Sequence, residues 1–339
     1  MIDLNTVWFV LFGILIAGYA ILDGFDLGVG VLHLFTRSDK ERRISMNSIG
    51  PVWDGNEVWL LTAGGALFAA FPPVYATVFS GFYLVLILLL AALIFRAVSL
   101  EFRSKVDSQV WRRLWDMSFG IGSLLPAILF GVAVGNILKG IPINAEGTFT
   151  GTFLGLLNPY AILIGILSLI MFTMHGALYM TIKTDGELQE RFSKWASGAW
   201  VAFVILYLLA TLYTFFEAGY LFEGSFGKPF FWVFMVLLLI ALVNIPITLK
   251  AGKHFLSLLS SSVVIASVIG LSAVSMYPKL VPSSIDLTNS LTAYNASSTP
   301  SALTVMLIIT LIGMPLVIGY TIYVYHVFKG KTVVSDGSY

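Results

Sequence analysis

Nine long apolar runs follow one another along this 339-residue chain, at positions 7–34, 52–71, 74–95, 117–138, 160–182, 199–216, 230–249, 255–276 and 302–328. A helix that is hydrophobic all round must be buried in protein or in lipid. About 20 consecutive apolar residues cross the roughly 30 Å hydrocarbon layer of a bilayer as a helix. Within that layer backbone amides must pair inside their own segment or inside a closed barrel. Runs of this length therefore have one solution, the transmembrane helix. The expected fold is an all-α membrane protein of nine transmembrane helices. The charged fraction of 11% agrees, since soluble domains carry about 25%.

The polar segments set the layout. The second and third runs are joined by Pro72-Pro73, which cannot continue a helix, so a tight hairpin is expected there. The two longest outer segments, 139–159 and 277–301, are rich in Ser, Thr, Asn and Pro and read as loops. They divide one polytopic domain, 1–339, into four helices over about 7–138, four over about 160–276 and one over about 302–328. Two four-helix bundles plus one C-terminal helix is the expected arrangement.

Orientation follows from the basic residues. With the N-terminus outside, the outer segments hold only Lys139, Lys228 and Lys279, and the other sixteen of the chain's 19 Lys and Arg lie inside. The positive-inside rule then places the C-terminus in the cytoplasm. The first run has no basic segment before it and is too long for a signal-peptide core, so it is expected to remain as an anchor.

Acids inside the apolar runs are the candidate functional residues, because a charge in the membrane is costly and marks function. Asp23 and Asp26 interrupt the first run, and Asp54 and Glu57 open the second. Each pair is three apart, on one helical face. Counted inward at 1.5 Å per residue, Asp23 lies about 24 Å deep, and Asp54 and Glu57 stand roughly 4 to 9 Å above the inner boundary. Both pairs thus occupy the inner third of the membrane. Asp116 starts the fourth run on the same side. This is the pattern of a proton or cation entry funnel open to the cytoplasm. Trp53, Asn56 and Arg96 are the candidate supporting residues. A structural reading stands beside this one. Asp54 and Asp116 suit the first turns of helices, Arg96 is placed to pair with one of them, and Gly24, Gly28 and Gly30 suit close helix packing.

Several chemistries are excluded. The chain has no cysteine, hence no disulfide, iron–sulfur cluster or thiolate ligand. Its net charge of +1 argues against nucleic acid. Of four histidines, His33, His254 and His326 fall at inner helix ends or in an inner loop, and His175 alone lies well inside a run. A haem with two axial imidazoles is not expected in this chain alone. No metal site is assigned. On these residues transporter, channel, redox-enzyme subunit and structural partner all stay open.

The motifs narrow the choice. Asp23-Gly24-Phe25-Asp26-Leu27-Gly28-Val29-Gly30 resembles the first-helix signature of subunit II of cytochrome bd-type quinol oxidases. Asn47 through Leu60, centred on Trp53-Asp54-Gly55-Asn56-Glu57, with Thr62-Ala63-Gly64-Gly65-Ala66, resembles its second-helix signature. Phe95-Arg96 with Glu101-Phe102-Arg103-Ser104-Lys105, and Met276-Tyr277-Pro278 through Thr292, resemble later family segments, so the likeness covers the whole chain. The resemblance implies an enzyme of the bacterial cytoplasmic membrane that oxidises quinol and reduces dioxygen to water with cytoplasmic protons. It implies two haems b and one haem d in a larger partner subunit, with the present chain the haem-free partner. A small single-helix subunit, quinone and membrane lipid are further partners it allows. Asp54 matches the family's proposed proton-channel acid, and Glu57 stands where some relatives carry glutamine. The expected proton pathway is Asp54, Glu57, Asp23 and Asp26. No residue of this chain is expected to be catalytic or to ligate a metal. A proton- or cation-coupled transporter using the same acids is the alternative.

Overall fold

Helix starts are written into this sequence as short polar residues. Asp3, Ser38, Ser108, Asn158 and Thr299 each accept a backbone amide hydrogen bond at a helix N-terminus, satisfying donors that have no partner within the helix. The computed structural model describes residues 3–333. In it α1 spans Leu4–His33, α2 Asp39–Ile49, α3 Trp53–Ala70, α4 Pro72–Gly81, α5 Tyr83–Phe102 and α6 Gln109–Lys139. After a long loop come α7 Pro159–Lys183, α8 Gly186–Glu217, α9 Pro229–Lys250 and α10 His254–Met276. A second long loop carries β1 Lys279–Val281 and β2 Leu291–Thr292 and leads into α11 Pro300–Val327.

Among the described residues, eight helices are long and apolar enough to cross a membrane: α1 and α5 to α11. The second expected span, α3, is 18 residues long, and Asp54, Asn56 and Glu57 fill its first turns, which keeps it outside that set.

Three expectations are corrected. Pro72-Pro73 does not make a tight hairpin. The helix breaks at Phe71, and Pro72 then opens the ten-residue α4, because a first-turn proline lacks only an amide that has no intrahelical partner. The run at 74–95 is consequently two helices, divided at Phe82, and its apolar span is Tyr83–Phe102. The fourth helix begins at Gln109 rather than near 117, so Asp116 lies two turns inside it. The polar segments expected on the inner side are also largely helical, as α2 and the first turns of α8.

α7 is the central helix, with 16 of its 25 residues buried, against 4 of 32 for α8 and 1 of 28 for α11. Its crossing with α1 rests on two glycines. A Cβ on Gly28 would stand 1.9 Å from the Phe172 carbonyl oxygen, and one on Gly176 would stand 2.5 Å from the Gly28 carbonyl carbon. Backbone approaches this close admit no side chain. The main core runs from Phe25 and Leu27 of α1 through Met171 and Phe172 to Phe203, Leu238 and Val264 on α8, α9 and α10. A second core gathers Trp8, Phe71, Phe82, Ile141, Val281 and Leu303 at the opposite end of α1 from the acids. There the two long loops interlock: Ile141 donates to Pro282 at 3.0 Å and its carbonyl accepts from Ser284 at 2.9 Å. β1 and β2 pair antiparallel beside this joint.

Candidate functional site

The last third of α1, the first turns of α3 and the last third of α5 meet at one end of the bundle. Asp23 and Arg96 are both fully buried, at 0% exposure. The guanidinium grips the carboxylate with two bonds, Nη1 to Oδ2 at 2.9 Å and Nη2 to Oδ1 at 2.5 Å, the bidentate geometry that suits arginine best. The Tyr19 hydroxyl adds a bond to Oδ2 at 2.8 Å. Arg96 thus pairs with Asp23 rather than with Asp54 or Asp116.

Asp26, one turn on, has a different environment. Asn56 Nδ2 donates to its Oδ2 at 2.7 Å and to the Leu22 carbonyl at 3.2 Å. The amide is fixed from the far side by the Tyr325 hydroxyl of α11, which donates to Asn56 Oδ1 at 2.9 Å. Asp26 Oδ1 is buried and has no partner among the described residues. A carboxylate oxygen left bare in a low-dielectric interior is costly, which sets Asp26 apart from the fully paired Asp23.

Glu57 is half-buried and lies within electrostatic reach of Arg96, Asp23 and Asp54. Asp54 is exposed on the surface of α3, outside the hydrogen-bonded group. Trp53 is half-buried and packs on the main core. The four predicted acids therefore grade from exposed Asp54 through half-buried Glu57 to buried Asp26 and Asp23. Of the three predicted supports, Asn56 and Arg96 hold the buried pair, and Trp53 packs on the core instead.

Asp116 belongs to a second cluster that sequence reasoning missed. It receives Arg103 Nε at 2.5 Å and Nη2 at 3.3 Å, Arg42 Nη1 at 3.3 Å, and lies 2.9 Å from His33 Nε2. Arg103 also reaches Asp39 at 2.6 Å. Asp116 is thus a counter-ion hub joining α1, α2, α5 and α6, not a helix-start residue. The available signal was the α5–α6 reversal, which sets Arg103 opposite the early turns of α6. Beside it, Arg191 of α8 pairs with Glu41 of α2 at 2.5 Å.

His175 is occupied on both ring nitrogens, by the Ile21 carbonyl at 3.0 Å from Nε2 and by Ser261 Oγ at 2.9 Å from Nδ1. A carbonyl only accepts, so Nε2 carries the proton and Nδ1 accepts from the serine. Neither nitrogen presents a lone pair to an iron. Among the described residues no group of three His, Asp or Glu side chains is arranged to hold a metal.

Comparison with known proteins places this arrangement. The family described as cytochrome bd terminal oxidase subunit II matches residues 4–328. Cytochrome bd-I ubiquinol oxidase subunit 2 of Escherichia coli K12 is 37% identical, covering 99% of this chain and 98% of that one. Cytochrome bd ubiquinol oxidase subunit 2 of Bacillus subtilis 168 is 36% identical, covering 98% and 97%. A chain of the bd oxidase from Geobacillus thermodenitrificans has the same fold, with a TM-score of 0.77 at 16% identity over 96% of this chain and 98% of that chain. With matches that run from its first helix to its last, the chain belongs to the cytochrome bd terminal oxidase subunit II family.

Proposed function

We propose that this chain is the haem-free subunit of a quinol:oxygen oxidoreductase of the bacterial cytoplasmic membrane, and that it feeds cytoplasmic protons to dioxygen reduction in a larger partner subunit. Haems b and d and quinol oxidation are assigned to that partner, which this chain also supports in assembly. A small single-helix subunit, quinone and lipid complete the proposed surroundings. α3 is the ninth span in this reading, the N-terminus lies outside and the C-terminus in the cytoplasm. The family relatives are oxidase subunits along their full length, which sets the transporter reading aside.

The observation that carries the proton role is the gradation of the acids. Reducing dioxygen to water consumes protons at a site inside the membrane, and ionisable groups are the means of bringing them there. Asp54 meets the surroundings, Glu57 stands half-way in, and Asp26 offers one buried unpartnered oxygen. Asp23 is neutralised by Arg96 and acts as the fixed counter-charge of the path.

Asp54→Asn in the purified complex tests the proposal. Shape is kept and titration removed, and the exposed position carries little of the fold. Quinol-driven oxygen consumption is expected to fall by about a hundredfold, the lower end of the scale for losing one positioned proton-transfer group, with haem absorbance near normal. Wild-type turnover at full haem content would refute the entry role, and loss of haem would make Asp54 structural.

A further inference from the structure

A third polar site lies away from both acid clusters, where α7 ends, α9 turns into α10 and the chain leaves α11. Gly252, at φ +70, lets the backbone reverse there. A cavity of about 400 Å³ opens beside this turn, lined by Lys253, His254 and Lys331 and by Ile182, Phe255 and Leu256. None of the lining residues is acidic. Lys331 is held in place, donating to the Thr184 carbonyl at 2.5 Å and reaching the Thr181 carbonyl at 3.4 Å. Thr332 N bonds the Lys183 carbonyl at 2.8 Å, and Lys183 Nζ bonds the Phe328 carbonyl at 2.7 Å. The tail is thereby pinned over the end of α7 with a fixed cation at the cavity. His254 Nδ1 is buried with no partner among the described residues, and Lys331 lies within its electrostatic reach.

The cavity is amphipathic. Its polar end is cationic, whereas Phe255 and Leu256 stand 67% and 42% exposed on the first turn of a membrane-spanning helix. A phosphate-bearing headgroup fits the first part and acyl chains fit the second. Basic pockets between helix ends at the membrane surface are suited to anionic lipid headgroups.

We propose that this cavity binds the phosphate headgroup of an anionic phospholipid, with Lys253 and Lys331 as counter-charges, His254 as a further polar contact, and the acyl chains lying along Phe255 and Leu256. The leaflet, the cytoplasmic one, follows from the topology proposed above. The binding itself does not depend on the oxidase function.

The test is native mass spectrometry of the purified complex, titrated separately with phosphatidylglycerol, phosphatidylcholine and inorganic phosphate. Lys253→Gln leaves the Lys331 contacts to α7 intact, and Lys253→Arg keeps the charge. Wild type is expected to bind one phosphatidylglycerol that Lys253→Gln binds about fivefold more weakly, the scale for one basic residue at a membrane surface, and that Lys253→Arg retains. Lys253→Gln with Lys331→Gln should lower the affinity further. Quinol oxidase turnover is read in parallel, so that failure of the oxidase reading and failure of the lipid site appear separately. Equal retention of phosphatidylglycerol and phosphatidylcholine, or unchanged phosphatidylglycerol binding in Lys253→Gln, would overturn the proposal. Displacement of the lipid by millimolar phosphate would make this a free-phosphate site and overturn the lipid assignment.

Discussion

Arg96 and Asp23 have no contact with water, so neither charge is tolerable without the other. Removing one member of a buried pair leaves an uncompensated charge and costs about 3–5 kcal/mol. Arg96→Ala is therefore expected to prevent stable assembly, seen as loss of purified complex and of its haem absorbance. Arg96→Lys keeps the charge but not the two-pronged grip on Oδ1 and Oδ2. It should assemble with a lowered melting temperature in a thermal scan. If Arg96→Ala accumulates and melts like wild type, Asp23 is not charged in the folded chain and its role as fixed counter-charge fails. These residues also show what a single sequence reveals. That Asp23, Asp26, Asp54 and Glu57 come together at one end of the bundle followed from counting residues along helices of constant rise. The partner of Arg96 did not, because pairing depends on the rotation of each helix about its axis, and packing sets that rotation. The Asp116 hub was hidden for the same reason, since four elements must be docked before its ligands converge.

At the scale of elements, the α1–α7 crossing fixes one side of the helix that carries Asp23 and Asp26. The apolar runs announced the helices, and the glycines announced close packing, but not which helix would meet them. Gly28→Ala forces a methyl group into the Phe172 carbonyl. Overpacking costs about 1–3 kcal/mol, and a rigid backbone neighbour places this site at the upper end. The variant should melt at lower temperature and, because α1 carries Asp23 and Asp26, should also turn over more slowly than its remaining haem content accounts for. Gly13→Ala, where an added Cβ meets nothing within 4 Å, is the control. Equal behaviour of the two variants would remove the crossing from the argument. The sequence misjudged the segment after α3 for a local reason: a proline pair reads equally as a turn and as the start of a helix, and the following apolar residues conceal the break at Phe82.

For the whole molecule, the informative surface is the one that bears a charge. α8 and α11 present broad apolar faces, suited to lipid. α3 instead exposes Asp54 beside Val58 and Leu61, and if α3 is the ninth span, as proposed above, a carboxylate there requires protein or water against it. The larger subunit is expected to cover this face. This chain has no cysteine of its own to compete for the label: Val58→Cys carrying a photo-crosslinker should capture the larger subunit, and Leu212→Cys on α8 should not. Capture from Leu212 and not from Val58 would place the interface on the other side.

The interlocked loops have a consequence for how the molecule comes apart. One end is joined by main-chain bonds and an apolar core, which salt and moderate acid leave alone. The other is joined by ion pairs around Asp116 and by Glu41 with Arg191. Burial pushes the Glu41 carboxyl up, but the Arg37 amide and the Arg191 guanidinium outweigh it and hold the group below its ordinary 4.5. Its contribution is full above that value and disappears as pH falls through the lowered one. The two ends therefore fail under different stresses. In acid or high salt, hydrogen exchange should quicken first in α2 and at the start of α8, while the Ile141–Ser284 clasp stays protected, so that the protein frays from its charged end like a rope bound at the other.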